Sequence, residues 1–336
     1  MKTKILNKNE YKCAAKLLSK GELVAFPTET VYGLGADALN YEAVRKVYLV
    51  KQRAFSNPLN LTISSIQMVE KYAAHISDKA RILMKNFWPG PLTIILPLKY
   101  NVINKIVTAG LHTIAFRMPN NSVTLKMIDY FNRPIVGPSA NISGKPSPTN
   151  AEHVINDLNG KISAIIVDDS DILGIDSTII DMSLVNPTIL RPGVITKDDL
   201  IKVIGNNIYY DDDTKTTNDN KYIHYKPNAD VIIVDNIKDF PFAISEIEKK
   251  DEPFGIMATD SVLNNQNTVR FKEQFSLGDS VLSASHLLYD GLRYFDMYPE
   301  VKTILVQGFP RTGLGIAYMN RLEKAATNHH FFNRYV

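Results

Sequence analysis

The sequence predicts an α/β protein of two domains, the larger of which contains a mixed, twisted β-sheet. The chain has 336 residues, more than one ordinary domain of about 150 residues. Short β-rich runs alternate with helical patterns throughout. Some predicted strands follow one another with no helix between them, so the sheet cannot be purely parallel.

The first domain is expected over residues 1–205. Its first helix covers 11–20, because apolar residues fall on one helical face and Gly21 follows. The same periodicity predicts further helices at 41–51, 77–87, 122–131, 151–158 and 197–204. Runs of β-branched and other apolar residues predict strands at 23–26, 59–63, 93–97, 113–118, 134–136, 164–167, 177–181 and 188–190.

Residues 206–228 have few apolar side chains and the composition of a flexible linker. Beyond them, 229–336 is expected to form a smaller, Rossmann-like, three-layer α/β domain. Its strands are predicted at 230–234, 254–258 and 303–306, and its helices at 237–249, 277–295 and 315–326.

Composition excludes several classes of protein. The formal net charge is only +3, which is unlike a polybasic tail protein. The single cysteine rules out a disulfide framework or a cysteine-based metal cluster. Charged residues interrupt the N-terminal apolar stretch, so no signal peptide is predicted. No window has enough consecutive apolar residues to span a membrane. We therefore expect a cytoplasmic protein that does not bind a membrane.

Familiar catalytic motifs are also missing. The sequence has no P-loop, HExxH or GxSxG pattern. A loose dinucleotide-binding pattern begins at Gly33, but the following strand has no acidic residue beside it to bind a ribose.

Polar segments lie at strand and helix ends in the first domain. Segment 27–35 brings hydroxyls, a carboxylate and glycines after a strand, which suits a ligand pocket or an ordinary capped turn. Segment 51–59 carries two cations that suit an anionic ligand or the dipole of the preceding helix. Segment 137–149 offers many small donors for phosphate or sugar oxygens.

A fourth group is scattered along the chain. Arg117 ends one strand, Ser177 and Thr178 begin another, and Arg191 precedes Pro-Gly. Each residue alone is typical of a surface position. Together they add cationic and hydroxyl groups at loop–strand junctions, without a nucleophile–base pair.

These segments occur in the order known from one family. The ordered motifs are PTETVYGLGA (27–36), KxR…NPL (51–59), WPGPLT (88–93), TAGLxTxAxRMP (108–119), PSANxSGxPSPT (138–149), STIID (177–181) and LRPG (190–193). The set closely resembles the YrdC-like domain of threonylcarbamoyl-adenylate synthases. Segments 221–227 and 308–326 resemble the hinge and the C-terminal end of the two-domain form, so the resemblance covers essentially the whole chain.

The resemblance implies an enzyme that condenses L-threonine, bicarbonate and ATP, with Mg²⁺, into threonylcarbamoyl-adenylate and pyrophosphate. No metal site in the protein itself is expected. A separate tRNA threonylcarbamoyl-transferase complex would then modify adenosine 37 of tRNA. Because the threonine N-carboxylate is already an anion, the enzyme would mainly position groups and neutralise charge.

The resemblance also implies residue roles. Residues expected to bind L-threonine are Thr28, Thr30, Thr62, Arg117, Gly137 and Ser177. Residues expected to bind ATP are Lys51, Arg53, Asn57, Thr113, Ser139, Asn141, Ser147, Arg191 and Tyr222. Lys51 and Arg53 are also the expected catalytic residues, and Tyr222 would close over the nucleotide as a lid.

Three positions depart from the family pattern. Thr62 and Asn121 stand where many members carry histidine, and Ala54 replaces a common proline. The alternative function is a non-catalytic module that binds double-stranded RNA or tRNA. The low net charge, with no Lys/Arg run and no RNP-type aromatic pattern, supports direct tRNA binding only weakly.

Overall fold

The computed structural model describes residues 2–168, 170, 172–211, 225–265 and 272–332. The chain divides into two compact units. The first comprises Met1–Ser143 and Ser147–Asn220, and the second comprises Gly144–Pro146 and Lys221–Val336. Both are mixtures of helices and strands, as the sequence predicts, and the mixed α/β fold class is confirmed.

The described part of the first unit contains eleven strands and eight α-helices. The strands are β1 (Lys4–Asn7), β2 (Val24–Phe26), β3 (Gly33–Asp37), β4 (Leu61–Thr62), β5 (Leu92–Pro97), β6 (Thr113–Arg117), β7 (Ile135–Val136), β8 (Ala164–Val167), β9 (Thr178–Asp181), β10 (Thr188–Arg191) and β11 (Tyr209–Tyr210). The helices are α1 (Tyr11–Ser19), α2 (Tyr41–Lys51), α3 (Ile66–Tyr72), α4 (Asp78–Phe87), α5 (Lys105–Thr108), α6 (Ser122–Phe131), α7 (Ala151–Leu158) and α8 (Lys197–Ile204).

The strands of this unit form one sheet in the order β1-β8-β2-β3-β7-β4-β6-β5-β9-β10-β11. The sheet is mixed, as predicted. For example, β4 runs parallel to β6 but antiparallel to β7, and β5 runs antiparallel to β6 but parallel to β9. The central strands bury apolar side chains completely, among them Leu61, Ile94, Phe116, Val136 and Ile180. This core fixes the positions of the strand ends, where the polar segments begin.

Helix α2 shows how local sequence sets an element that carries a candidate residue. The side chain of Asn40 accepts a hydrogen bond from the backbone N–H of Ala43 and caps the helix start. The helix ends at Lys51, and the next residue, Gln52, has a left-handed φ of 53°. Val44 and Val47 face the core on the same side as Lys51. The buried face of α2 therefore carries Lys51 into the interior.

Four strands and three short helices were not predicted from the sequence; the helices are Ile66–Tyr72, Lys105–Thr108 and Asp260–Leu263. Segment 27–35 is not wholly a polar loop, because Gly33–Asp37 forms the buried strand β3 beside β2. Strands β1 and β11 were not predicted, and β11 lies within the segment expected to be a linker. In the second unit, the strand Glu273–Ser276 was not predicted either. Strand β3 contains two glycines, which are not typical of strands, so side-chain patterns do not predict it. The other three strands are short.

The described part of the second unit has an all-parallel four-stranded sheet. Its strands are β12 (Asp230–Val234), β13 (Phe254–Ala258), β14 (Glu273–Ser276) and β15 (Thr303–Gln307), in the order β12-β15-β13-β14. Its helices are α9 (Phe240–Glu248), α10 (Asp260–Leu263), α11 (Val281–Phe295) and α12 (Leu314–Ala325). Parallel neighbours require crossover connections, and the helices between the strands provide them.

Candidate active site

Neighbouring strands bring several of the predicted threonine-binding residues together. Thr62 on β4 lies opposite Arg117 on β6 in the parallel register. Thr93 on β5 lies opposite Arg117 on the other side. Arg117 therefore sits between two threonines at one end of the central strands.

Arg117 binds the polar segment that follows β2. Its Nη2 donates to Thr30 Oγ1 at 2.7 Å and to Glu29 Oε2 at 2.9 Å, with Thr28 Oγ1 farther away at 3.5 Å. The side chains of Arg117 and Glu29 are only 11% and 9% exposed, respectively. Arg117 Nε and Glu29 Oε1 are buried and have no hydrogen-bond partner among the described residues. This cluster is a buried, pre-organised arrangement of a cation, a carboxylate and hydroxyl groups.

Thr28 fixes the turn that carries these groups. Its Oγ1 accepts hydrogen bonds from the backbone N–H groups of Thr30 and Val31, at 3.1 and 3.2 Å. The same hydroxyl donates to the carbonyl of Val31 at 2.7 Å. These local bonds hold the turn without help from a ligand.

Gly137 packs directly against Thr62. A Cβ atom at position 137 would lie 2.1 Å from Thr62 Oγ1 and 3.3 Å from the ring of Phe26. No side chain larger than glycine fits this contact unless its neighbours move. Gly137 thus lets the backbone approach Thr62 at the base of the cluster.

Ser177 joins the cluster through Thr93. The two hydroxyls are 2.8 Å apart and both residues are buried. Arg191 donates from Nε and Nη2 to the carbonyl of Ser177, at 3.1 and 3.0 Å, and from Nη2 to its hydroxyl at 3.2 Å. Arg191 thereby holds Ser177 in place. The hydroxyl of Thr93 connects Ser177 to strand β5, which pairs with strand β6, where Arg117 lies.

Backbone hydrogen bonds tie segment 27–35 to segment 137–149. Tyr32 N–H donates to the carbonyl of Pro148, and Ala140 N–H donates to the carbonyl of Tyr32, both at 2.8 Å. Lys51 connects segment 51–59 to segment 137–149. Its ammonium, in a residue only 1% exposed, donates to the carbonyls of Ser139 and Asn141, the latter at 2.6 Å. Three polar segments distant in sequence thus form one assembly.

Arg53 and Asn57 form a compact unit after α2. Arg53 Nη2 donates to Asn57 Oδ1 at 2.5 Å and to the carbonyl of Pro58 at 3.0 Å. Tyr48 donates its hydroxyl to the carbonyls of Asn57 and Ile106, at 3.1 and 2.9 Å. Burial raises the pKa of Tyr48 to about 12, against a smaller lowering by the Arg53 charge. The phenol therefore stays protonated and keeps donating at neutral pH.

Asn121, one of the departures from the family pattern, caps helix α6. Its Oδ1 accepts hydrogen bonds from the backbone N–H groups of Val123 and Thr124. Its Nδ2 donates to Asp168 Oδ2 at 2.8 Å and to Ser170 Oγ at 3.2 Å. These contacts give Asn121 a structural role.

The remaining expected residues have different placements. Thr113 begins β6, at the opposite end of that strand from Arg117, so the structure does not bring these two together. Ser147 is 1% exposed and precedes Pro148, which is bound to Tyr32. Tyr222 lies outside the described residues.

Two residues of the cluster were not among the predicted site residues. Glu29 and Thr93 both lie within quoted motifs, at 27–36 and 88–93. A carboxylate between two threonines was a usable signal for Glu29. Thr93 gave no such signal, because its role depends on cross-strand register with Arg117 and on the hydroxyl of Ser177.

Two other kinds of feature are absent from the residues that the structure describes. Within the described ranges, no group of three or more His, Cys, Asp or Glu side chains is placed to hold a metal ion. In the same part of the chain, no helix has the length and apolar character needed to cross a membrane. The site consists of cationic, hydroxyl and amide groups with one buried carboxylate, an arrangement suited to binding and positioning charged ligands.

Two family models match successive parts of the chain. The model described as "Telomere recombination" matches residues 16–193. The model described as "Threonylcarbamoyl-AMP synthase, C-terminal domain" matches residues 195–327.

Curated proteins and a solved structure agree with these models. The threonylcarbamoyl-AMP synthase of Pyrococcus abyssi is 41% identical over 324 residues, covering 93% of each chain. That of Bacillus subtilis is 42% identical over 320 residues, covering 93% of this chain and 92% of the relative. The crystal structure of P. abyssi Sua5 complexed with L-threonine superposes with a TM-score of 0.91 at 38% identity, covering 98% and 99% of the two chains. On these grounds the chain belongs to the threonylcarbamoyl-AMP synthase family.

Proposed function

We propose that the protein condenses L-threonine, bicarbonate and ATP into threonylcarbamoyl-AMP and pyrophosphate. The relatives that match nearly the whole chain carry the name of this activity. In this chain, the proposal rests on the buried cluster around Arg117, which joins cationic, carboxylate and hydroxyl groups. An amino acid with a side-chain hydroxyl presents complementary groups.

In this proposal L-threonine occupies the cluster. Arg117 binds its carboxylate, Thr28 and Thr30 line the pocket, and Ser177 closes it. The contact between Gly137 and Thr62 shapes the pocket floor. A relative whose structure was solved as a complex with L-threonine supports L-threonine as the ligand.

ATP would lie against the cationic segments. Lys51 and Arg53 would hold its phosphates and act as the catalytic residues, with Asn57 beside them. Arg191 would add a phosphate contact. The other proposed nucleotide contacts are Thr113, Ser139, Asn141 and Ser147. A site rich in cations and hydroxyls suits a polyphosphate.

The proposed reaction needs little covalent chemistry from the protein. The α-ammonium group of L-threonine loses a proton, and the resulting amine and bicarbonate give an N-carboxylate and water. One oxygen of the N-carboxylate forms a bond to the α-phosphorus of ATP. The bond from that phosphorus to the bridging oxygen breaks, and pyrophosphate leaves. The protein's task is alignment and neutralisation of the growing negative charge.

Mg²⁺ would enter as part of the substrate, bound to the ATP phosphates. The product would pass to a tRNA threonylcarbamoyl-transferase complex in the cytoplasm. Mg²⁺ is expected because it binds the phosphates of ATP. Prompt transfer is expected because water hydrolyses the product, a mixed anhydride.

Product identification tests this proposal. The protein would be incubated with MgATP, L-threonine and ¹³C-bicarbonate, and the mixture analysed by mass spectrometry. We expect threonylcarbamoyl-AMP carrying one ¹³C atom, with pyrophosphate as the co-product, and free AMP only from breakdown of that adenylate. Formation of no adenylate that contains both threonine and the ¹³C label would contradict the proposal.

A further inference from the structure

Three residues of the polar segment 137–149 belong to the second compact unit. Gly144–Pro146 group with that unit, whereas the residues on either side of them, Ser143 and Ser147, belong to the first. The same short segment carries the proposed nucleotide contacts Asn141 and Ser147. The second unit therefore includes the middle of a segment whose two ends belong to the first unit.

Within the second unit, helix α11 holds these residues through Arg293. The guanidinium donates from Nε and Nη2 to the carbonyl of Pro146, at 3.1 and 2.6 Å. Arg293 is only 8% exposed, so a buried cation directs two donors at a single backbone carbonyl. Hydrogen bonds from a charged donor are stronger than neutral ones, and a pair of them also restricts the orientation of the acceptor.

A backbone hydrogen bond strengthens the same attachment. The N–H of Lys226 donates to the carbonyl of Gly144 at 2.9 Å. The preceding residue, Tyr225, packs its ring against that of Tyr289 on α11, with the ring centroids 5.1 Å apart. At least two of the three carbonyl groups of Gly144–Pro146 are thus bound by groups of the second unit.

The orientation of Pro146 determines that of the next residue, Ser147. The carbonyl of Pro146 and the N–H of Ser147 belong to one planar peptide group, so fixing the carbonyl fixes the whole plane. Proline has a fixed φ, and Pro148 restricts the backbone of Ser147 to extended conformations. Little freedom therefore remains between the guanidinium of Arg293 and Ser147, a residue that is 1% exposed.

We propose that Arg293 is a positioning residue for ATP, because it fixes the Pro146–Ser147 peptide and thereby holds Ser147 in place for the nucleotide. The inference rests on the proposed function, which makes Ser147 a nucleotide contact. It gives the second unit a part in ATP binding through one side chain. Arg293 does not touch the nucleotide itself and acts through the segment that it holds.

Arg293→Met is the informative variant, because it removes both donors and keeps an unbranched apolar side chain. Calorimetry with a non-hydrolysable MgATP analogue should show binding about 10-fold weaker than in the wild type, since a charge-assisted contact no longer holds the binding group. The Kd for L-threonine, measured without nucleotide, should stay within about twofold of the wild-type value. A wild-type Kd for the analogue in folded Arg293→Met would overturn the inference.

Arg293→Lys is the conservative variant. It keeps the buried positive charge and one donor for the carbonyl of Pro146, but it loses the paired geometry. We expect its affinity for the MgATP analogue to lie between those of Arg293→Met and the wild type. Equal affinities in the two variants would contradict a role for the hydrogen bonds to this carbonyl.

Tyr318→Phe is the matched control in the second unit. Tyr318 is buried on α12 and donates its hydroxyl to the carbonyl of Gln307 at 2.9 Å, so this variant also removes a donor to a backbone carbonyl. It should lower the midpoint of thermal unfolding but leave the Kd for the MgATP analogue within about twofold. An equal loss of affinity in this control would overturn the inference, because destabilisation of the unit would then explain both results.

A double-mutant cycle tests whether Arg293 acts through Ser147. Ser147→Ala should weaken binding of the MgATP analogue by itself. Adding Arg293→Lys should then cause little further loss, because the hydroxyl that Arg293 positions is already absent. Fully additive losses would overturn the inference.

Hydrogen exchange of the wild-type protein does not depend on the folding of any variant. The MgATP analogue should slow amide exchange in a peptide that covers residues 144–147, because nucleotide binding stabilises the segment against local opening. Unchanged exchange in that peptide would overturn the inference.

Failure of the inference can be told apart from failure of the proposed function. If the wild-type protein makes the ¹³C-labelled adenylate but Arg293→Met binds the MgATP analogue as the wild type does, only the role of Arg293 is wrong. If the wild-type protein makes no such adenylate, the proposed function is wrong and the role of Arg293 falls with it.

Discussion

Single residues in this protein act through contacts that cross the sheet. Arg117 and Thr62 are separated by more than fifty positions but lie opposite each other on β6 and β4. The polar motifs could be predicted from the sequence, because they stand out between apolar strands. The partners within each cluster could not, because cross-strand register and hydrogen bonds such as that between Thr93 and Ser177 depend on the tertiary fold.

Gly137→Ala should be destabilising through one contact. The new Cβ would lie 2.1 Å from Thr62 Oγ1, so we expect a loss of about 1–3 kcal/mol in the free energy of unfolding. Adding Thr62→Ala removes that oxygen and should recover part of the loss, a coupling measurable by denaturant unfolding of both single variants and the double variant. Strict additivity would show that the two residues do not touch.

Lys51→Met should affect both stability and activity. It removes the cation that binds two buried carbonyl groups, at a cost of about 3 kcal/mol. Pyrophosphate release should fall at least about 100-fold, as when a pre-organised donor is removed from an active site. Both effects would be measured by denaturant unfolding and a coupled pyrophosphate assay.

Lys46→Met is the control for that variant. Lys46 is on the same helix, α2, and donates to the carbonyl of Gly21 at 3.0 Å, but it is half-exposed. We expect nearly unchanged activity and a loss of stability of less than about 1 kcal/mol. If the two lysine variants behaved alike, the assigned role of Lys51 would be wrong.

Among the elements, α-helices of eight residues or more were predicted better than short strands, whereas the three shorter α-helices were missed. The bounds of α2, α6, α7 and α8 match the prediction, because each has a polar N-cap and a clear apolar face. Helix α11 begins at Val281 rather than at 277, since Ser280 caps it and Gly278 has a left-handed φ of 75°. Strands of two residues, such as β11, carry too little pattern to be found from sequence.

Helix α6 offers a test of the role of Asn121. Asn121→Ala removes the N-cap and the contact with Asp168, so we expect a loss of about 1–2 kcal/mol in stability. Asn150→Ala removes a more exposed cap from α7 and should cost less. Denaturant unfolding measures both. A large change in the KM for L-threonine in Asn121→Ala, with stability retained, would instead indicate a direct role in substrate binding.

Helix α2 also supports a pH prediction. The folded state raises the pKa of Tyr48 to about 12, above the unfolded value of about 10. The protonated phenol is therefore favoured by folding. Its contribution is fully present below about pH 10 and is lost as the pH rises through about 12.

Tyr48→Phe isolates this contribution from that of other tyrosines. The variant loses the hydrogen bonds to Asn57 and Ile106 and should be about 1–2 kcal/mol less stable at neutral pH. The difference from the wild type should shrink between about pH 10 and 12. Denaturant unfolding at several pH values measures it, and a difference that grows with pH would have the wrong sign.

At the scale of the whole molecule, the α/β class and the family were predictable, because ordered motifs cover most of the chain. The proposed activity requires the complete set of substrates, so it is tested on the whole reaction rather than through any single contact. The competing hypothesis, a non-catalytic RNA-binding module, has little support in a net charge of +3. It would be favoured by salt-dependent tRNA affinity in a protein that turns over no ATP.

The most direct test of the central claim follows pyrophosphate release from MgATP, bicarbonate and L-threonine, with each component omitted in turn. The account predicts rapid release only from the complete mixture, with losses of similar size when threonine or bicarbonate is left out. Release that continues unchanged without L-threonine, or that never occurs in the complete mixture, would contradict it.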